Sequence, residues 1–550
     1  MTALLTDNLP LMAGAPNGIK KLRELILELA VRGKLVPQDP SDEPASELLK
    51  RIAVEKERLS PKFKKSSETS VCAGAFELPE SWCWASFGDI AQHNSGKTLD
   101  KGRNSGVPRD YITTSNLYWG RFELSGVRQM LIEEKDLARC TAIMNDLLIC
   151  EGGEAGRAAV WDQEREICFQ NHVHRARFFG GINPHYAQRC FERLNYSGEI
   201  AEYRKGVGIS NMSSKSLASI PVPLPPLAEQ HRIVAKVDEL MALCDRLEAQ
   251  QADAESAHAQ LVQALLDSLP QASDATDFAA NWQRLAEHFH TLLTTEPSID
   301  ALKQTLLQLA VMGKLVPQDP SDEPASELLK RIAEEKAQLM AEGKLKKQRS
   351  LADIEDDEVL FELPDGWAWA RFGNICAIKG ELVRPEDFPS LRQVAPDCIE
   401  KGTGRLTDNR TVKDSGVKGP NSRFFAGQIV YSKIRPSLSK AVLVDFDGLC
   451  SADMYPIDAF ISSEFLLKEI LSEVFLEQVR VAENRIKMPK LNQESLTTFV
   501  LPIPPLAEQQ RIVAKVDQLM ALCDQLKNRL TQARQLNEQL ASTLVEQAVA

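Results

Sequence analysis

From Ile233 onward the seam positions of the chain step by four and three: Val237, Leu240, Cys244 and Leu247, then Gln251, Ala254, His258, Leu261 and Leu265. That alternation is the 3.5-residue seam of a coiled coil, closed by Ser268 and Pro270. The seam returns as Ile512, Val516, Leu519, Cys523, Leu526, Leu530, Ala533, Asn537, Leu540 and Leu544. Each run predicts one long helix, a rod of roughly 50 Å at 1.5 Å per residue. His258 and Asn537 are polar members toward the far ends, where they either set register or mark a frayed, partly exposed turn. Pro225-Pro226 and Pro504-Pro505 stand just before the helices, where proline is tolerated. A shorter helix is predicted from Ala45 to Leu59, capped by Ser41 or Asp42 after the turn-rich run from Gly33. Residues 61–70 and 342–350 read as polar, mobile connections. Residues 274–300, with Trp282 and a helix to Leu293, read as a docking surface or only a spacer.

The pattern is written twice. Leu29 to Lys56 returns as Leu309 to Lys336 with two differences in 28 positions, Arg32/Met312 and Val54/Glu334. FELPESWCWASFGDI from Phe76 recurs as FELPDGWAWARFGNI from Phe361, and LAEQHRIVAKVDELMALCDRL from Leu227 recurs from Leu506 with 18 of 21 positions the same. Between these frames lie two inserts, Ala91 to Ile220 and Cys376 to Val500, that show little resemblance to each other. A constant frame around divergent inserts is the pattern of one scaffold presenting two specificities. The middle of the chain runs from the third block into the next copy's first two, whereas the termini split that unit. If the terminal segments pack together they recreate the middle, which puts the termini close in space and implies an approximate two-fold axis.

Each insert opens on alternating large residues, Trp82, Trp84 and Phe87 or Trp367, Trp369 and Phe372, which suit a strand with one buried face better than a base-stacking surface. Short β-like runs at 146–150, 158–161, 428–431 and 440–444 alternate with glycine turns and a few helices, so each insert is expected to be a mixed α/β module. The loops carry the polar chemistry. In the first insert Lys97, Lys101, Arg103, Asn104 and Arg109 fall in one loop, Arg157 ends EGGEAGR, and Gln170, Asn171 and His172 form another cluster. In the second, Lys379 and Arg384, Lys401 and Arg405, and Lys433, Arg435 and Lys440 play the comparable part. Arg, Lys, Asn and Gln make bidentate contacts to guanine and adenine edges, and glycine lets a loop approach a groove. Any one of these residues is also explained by a solvated surface; clustering in both inserts carries the case.

Catalytic signatures are missing from this pattern. Ser95-Gly96-Lys97-Thr98 resembles the end of a phosphate-binding loop, but Ala91 stands where that loop requires glycine. Glu151 and Glu154 lack metal-binding company, and no nucleotide-binding, zinc-protease or hydrolase motif is present. The eleven cysteines form no Cys-x-x-Cys pair and read as small buried apolar residues. Without a secretory start or an apolar run of about 18 residues, the chain is expected in the cytoplasm.

The paired PLPPLAEQHRIVAKV (Pro223 to Val237) and PIPPLAEQQRIVAKV (Pro502 to Val516), preceded by SNMSSKSLASIPV and KMPKLNQESL, resemble the specificity subunits of type I restriction-modification enzymes. The LAVRGKLVPQDP blocks are similar to that family's conserved regions, and the resemblance covers nearly the whole chain. It implies an α+β architecture: two mixed α/β target recognition domains separated by two long antiparallel coiled-coil helices, with internal pseudo-two-fold symmetry. The expected boundaries are a helical region 1–75, a recognition domain 76–225, a central conserved region 226–360, a second recognition domain 361–504 and a C-terminal helix 505–550. Each recognition domain would read one half of a bipartite, asymmetric double-stranded DNA target, with the helices as spacer and docking site. Up to about 15 base pairs at 3.4 Å each would separate the halves.

The implied partners are two modification (methyltransferase) subunits and restriction (translocase/nuclease) subunits, which use S-adenosylmethionine, ATP and magnesium, while this chain binds no cofactor or metal and is not itself catalytic. Asn211 and Ser213, with Lys490 and Asn492 as second-copy counterparts, match the family's polar turn and join the candidate DNA contacts. The alternatives are a subunit serving methylation alone, or a coiled-coil scaffold whose modules bind protein or sugar.

The net charge of −12 is the wrong sign for a free DNA-binding protein. Residues 77–220 hold 17 basic and 18 acidic side chains and residues 362–500 hold 18 and 19, so most of the negative charge lies in the frames. Nearly neutral modules lack a strong nonspecific field, so the isolated chain is expected to bind DNA weakly and the assembly to bind it well.

Overall fold

The structure is a computed structural model that describes residues 12, 14–59, 74, 76–98, 100, 102, 104–205, 210–272, 275–345, 350–483 and 489–549. Lys101, Arg103 and residues 61–70 and 346–349 of the connections lie outside the described residues. The chain forms two compact units, one of residues 1–253 with 533–550 and one of residues 254–532.

In the first unit, helix Gly18–Val31 buries Leu22, Leu25, Ile26 and Leu29, and helix Ala45–Leu59 turns Ala45, Leu48 and Ile52 to the same core. Gly33 joins them at φ 67°, and a Cβ there would come within 2.5 Å of the Pro79 ring. Asp42 does not cap the second helix, which begins three residues later; its carboxylate takes Arg232 at 2.6 Å instead. Strand Cys83–Ser86 pairs antiparallel with Pro221–Leu224, bringing both ends of the first insert to the foot of helix Leu227–Asp267. Trp82 and Phe87, which flank the strand, are buried in this core, whereas Trp84 within it is only partly buried, edge-on to Phe76, so the expected single buried face is not formed by all three.

The joint at that foot explains the LAEQ motif. Trp82 Nε1 donates to Glu229 Oε2 at 2.9 Å and Gln38 Nε2 to Oε1 at 2.6 Å. Gln230 Nε2 donates to the Pro225 carbonyl at 3.0 Å, and its Oε1 accepts the Asn183 N–H at 2.9 Å. The end of the chain belongs to the same unit. Lys21 Nζ reaches Ser542 Oγ at 2.7 Å and the Glu538 carbonyl at 3.2 Å, so helix Gly18–Val31 packs against the end of the C-terminal helix.

The second unit repeats the joint bond by bond. Trp367 Nε1 donates to Glu508 Oε2 at 3.1 Å, Gln318 to Glu508 Oε1 at 3.2 Å, and Arg511 pairs with Asp322 at 2.6 Å. Gln509 spans the Pro504 carbonyl and the Ser462 N–H, each at 3.0 Å. Helix Glu296–Val311 takes the part of Gly18–Val31, and Lys303 pairs with Asp524 at 2.5 Å where Arg23 pairs with Asp245 at 2.5 Å. The segment at 275–300 packs inward: helix Ala275–Glu287 and the short helix Phe289–Leu292 place Leu285, Leu292 and Leu293 in a core with Val262, Leu266, Ile299 and Cys523.

The long helices, Leu227–Asp267 and Leu506–Val549, keep the predicted seam only in their first halves. Ile233, Val237 and Cys244 are buried, but Leu261 is 54% exposed while Val262 and Leu266 are buried. Ile512, Val516 and Cys523 are likewise buried, yet Leu540 is 44% exposed and Ala541 takes its place. Cys244 to Val262 and Cys523 to Ala541 are both steps of 18 residues, about five turns at 3.6 residues per turn. Asn537 is exposed and half-buried His258 bonds the Leu292 carbonyl at 3.0 Å, so neither sits in an apolar seam.

Both inserts carry the same first sheet. Strand order is Ala158–Val160, Leu147–Cys150, Val173–Phe178, Ala91–Ser95 in one and Ala441–Leu443, Ile429–Ser432, Met454–Ala459, Cys376–Ile378 in the other. A second sheet is centred on Ile167–Phe169 or Gly448–Ser451, each flanked by one parallel strand (Val107–Ile112 or Arg392–Val394) and one antiparallel strand (Thr141–Ala142 or Asn421–Phe424). The modules differ at the edge. Arg128–Ile132 extends the first beyond its parallel strand, whereas Glu381–Val383 extends the second beyond its antiparallel strand. Among the described residues the ten cysteines are free, all but Cys83 buried, and no helix is long and apolar enough to cross a membrane.

Candidate nucleic-acid interface

Register in the first sheet brings the candidate loops to one rim. Ser95 opposes His174 and Cys150 opposes Val173, so the turns after 95, after 150 and before 173 emerge side by side. Glu151 N–H donates to the His172 carbonyl and Met212 N–H to the Glu151 carbonyl, both at 2.8 Å, and Asn211 pairs with Gly152. Asn171 N–H donates to the Lys97 carbonyl at 2.9 Å, and a Cβ on Gly96 would lie 2.1 Å from the Phe169 carbonyl oxygen. Glycine in SGKT therefore serves this close crossing of backbones. Beneath the rim His174 is buried, its Nε2 3.1 Å from the Met212 carbonyl and 3.7 Å from the Glu151 carboxylate. Burial lowers its pKa against the opposing pull of Met212 and Glu151, which favours the neutral ring.

The rim gathers Lys97, Gln170, Asn171, Asn211 and Ser213. Lys97 is paired with Asp136, and Ser213 caps helix Ser214–Ala218 by accepting the Ser216 N–H at 3.2 Å. The other first-insert candidates sit elsewhere. Asn104 closes its own loop by donating its N–H to the Asp100 carbonyl at 3.0 Å. Arg109 is exposed on strand Val107–Ile112 opposite Met130. Arg157 lies over the Tyr118 ring at 5.3 Å, donating to Glu154 at 3.0 Å and to the Thr114 carbonyl at 2.7 Å.

The second rim has the same backbone plan. Lys433 N–H donates to the Asp453 carbonyl at 3.0 Å, Leu491 N–H to the Lys433 carbonyl at 2.9 Å, and Lys490 pairs with Ile434. Tyr455 stands where His174 does and donates to the Leu491 carbonyl at 3.2 Å. Asn492 caps helix Gln493–Thr498 through the Ser495 N–H at 2.7 Å, as Ser213 caps its counterpart. On this shared scaffold the side chains change character: Glu151 is matched by Lys433, His172 by Asp453 and Asn211 by Lys490. Lys490 Nζ lies 3.1 Å from Asp453 Oδ1, and Lys433 Nζ lies 4.0 Å from it, donating at 2.6 Å to the Ala452 carbonyl. Arg435 is exposed in the same turn at φ 47°.

Away from this rim, Lys379 ends its strand on Asp458 at 2.7 Å, Lys440 donates to the Pro396 carbonyl at 2.5 Å, and Arg384 and Lys401 are exposed. Arg405 is drawn to Asp524 on the long helix. Sequence reasoning passed over Asp136, His174, Asp453 and Tyr455. The signal available was the matched polar turns at 211–213 and 490–492, from which the rims can be counted back.

Two modules of one fold, set on a duplicated frame and differing at matching rim positions, define a protein that presents two recognition surfaces. The chain belongs to the type I restriction-modification DNA specificity family, whose domain description matches residues 79–255 and 366–534. The EcoAI type I restriction enzyme specificity subunit of Escherichia coli is 39% identical over 97% of this chain and 94% of its own. The EcoEI specificity subunit of the same species is 37% identical over the same shares. A solved chain from work on complex assembly and conformational transition of a type I system matches with TM-score 0.51 at 16% identity, covering 86% of this chain and 99% of that one, a likeness of fold. Among the described residues no group of three or more His, Cys, Asp or Glu side chains could hold a metal.

Proposed function

We propose that this chain is the sequence-reading, non-catalytic component of a cytoplasmic type I restriction-modification complex, each rim contacting one half of a bipartite, asymmetric DNA target. The observation that carries this reading is the exchange of Glu151, His172 and Asn211 for Lys433, Asp453 and Lys490 on one backbone scaffold, while the joints below stay the same. Side chains that differ where the frame does not are what two half-sites of different sequence require.

The long helices serve as spacer and as docking surface for two modification subunits. In this reading they run antiparallel with approximate two-fold symmetry, which the duplicated order of the sequence blocks supports. Adenine methylation with S-adenosylmethionine and ATP- and magnesium-dependent cleavage fall to the partner subunits. Methylation-sensitive sequencing of DNA from cells expressing the complete system should reveal a methylated bipartite asymmetric motif. Its absence under active expression of all subunits would overturn the reading.

A further inference from the structure

We propose that Asp453 is a specificity-determining residue of the second rim, an internal counter-ion for Lys433 and Lys490 that DNA must displace; the inference rests on the DNA reading above. One carboxylate oxygen lies 3.1 Å from the Lys490 ammonium and 4.0 Å from that of Lys433. The three side chains are 39%, 40% and 25% exposed, so all of them reach solvent. Their spacing is held by backbone bonds between the turns, Lys433 N–H to the Asp453 carbonyl and Leu491 N–H to the Lys433 carbonyl. The face of Tyr455, 5.3 Å from the Lys433 ammonium, supports the longer arm of the arrangement. At the matching positions of the first rim stand His172, Glu151 and Asn211, so this device belongs to one rim and is no by-product of the shared fold.

Two unpaired ammoniums on a rim would attract any phosphate and raise affinity for every duplex alike. A carboxylate within hydrogen-bonding distance of Lys490 and at ion-pair distance from Lys433, whose ammonium also donates to the Ala452 carbonyl, lowers that potential and sets a competition. Because an exposed ion pair is weak, a DNA oxygen aligned with both ammoniums can replace the carboxylate. A duplex that does not align them exposes Asp453 to repulsion without the compensating contacts. The carboxylate thereby trades general affinity for discrimination.

The test measures binding of the full chain, assembled with its co-expressed partner subunits, to the duplex identified by methylation-sensitive sequencing and to an unrelated duplex across a salt series. Asp453→Asn should raise affinity for the unrelated duplex about three- to tenfold and steepen the salt dependence by roughly one to two ions, while affinity for the matched duplex changes less than about twofold. Adding Lys490→Gln to Asp453→Asn should cancel most of the gain. Asp445→Asn, which removes an exposed carboxylate of the same module away from these lysines, should leave both affinities unchanged. Unchanged binding by Asp453→Asn, an equal gain from Asp445→Asn, or a loss of affinity for both duplexes would each overturn the inference while leaving the DNA reading standing. Failure of the wild-type assembly to bind any duplex would remove both.

Discussion

Trp82–Glu229 and Trp367–Glu508 are one hydrogen bond made twice, whereas Glu151 and Lys433 occupy one backbone position with opposite charge. The joints and the rims are built by the same kind of duplication and have been held to different standards. At a joint, a buried carboxylate must meet an indole, an amide and the first turn of a helix, and few side-chain sets satisfy all of them. At a rim, the turns are closed by backbone bonds that accept almost any side chain. The scaffold can therefore be kept while its surface is rewritten.

The equivalence of the joints can be broken first by Trp82→Phe and Trp367→Phe. Each leaves a carboxylate oxygen of Glu229 or Glu508 without its indole donor in a buried place where burial already raises the carboxyl pKa. Each should cost about 1–3 kcal/mol of stability. The two losses, measured by denaturation of the full chain, should agree within about 0.5 kcal/mol; a difference well beyond that would show that the joints are alike in geometry only.

A second contrast lies within the cores. Cys190 of the first unit and Glu469 of the second stand seven residues past matching helix caps, Asn183 and Ser462. Glu469 is fully buried, neither carboxylate oxygen has a hydrogen-bond partner, and burial raises its pKa well above the ordinary value. Below about pH 4 the group is protonated folded or unfolded and has no pH-linked effect. As pH rises above the ordinary carboxylate value the unfolded chain ionises freely and the folded one does not, so stability falls. Glu469→Met should stabilise the chain by about 1–2 kcal/mol at pH 7.5 and have a smaller effect at pH 5. Equal effects at the two pH values would show that burial of the charge is not what separates these cores.

The rims themselves should answer with opposite signs. Lys433→Ala should weaken DNA binding by the assembled complex about three- to tenfold and reduce the salt slope by roughly one, whereas Glu151→Ala should leave affinity unchanged or raise it slightly. A parallel loss in both would mean that the matched positions act as structural supports. Unchanged affinity of Lys433→Ala at moderate salt would remove that lysine from the contact surface.

Much of the frame was legible because it is periodic and repeated. The helix from Ala45 to Leu59, the four β-like runs and the burial of Trp82, Phe87, Trp367 and Phe372 all follow from local pattern. What escaped was set at a distance. Asp42 reads as a cap until Arg232, 190 residues on, claims its carboxylate. The far halves of the long helices read as a supercoiled seam until burial shifts to Val262 and Ala541.

The common fold of the inserts was hidden for the reason given by the rims: strand order and turn bonds live in the backbone and leave side-chain identity almost unconstrained. Polar composition therefore located the loops but could not separate Lys490, held at the rim, from Arg405, which pairs with a helix.

The most direct test of the central claim is the methylated motif written by the complete system carrying Lys490→Ala with Arg435→Ala in the second rim. If the two rims are independent readers on one scaffold, base preference should relax in one half of the bipartite motif while the other half and the spacing between them stay as in the wild type. Relaxation in both halves, or a changed spacing, would contradict the account.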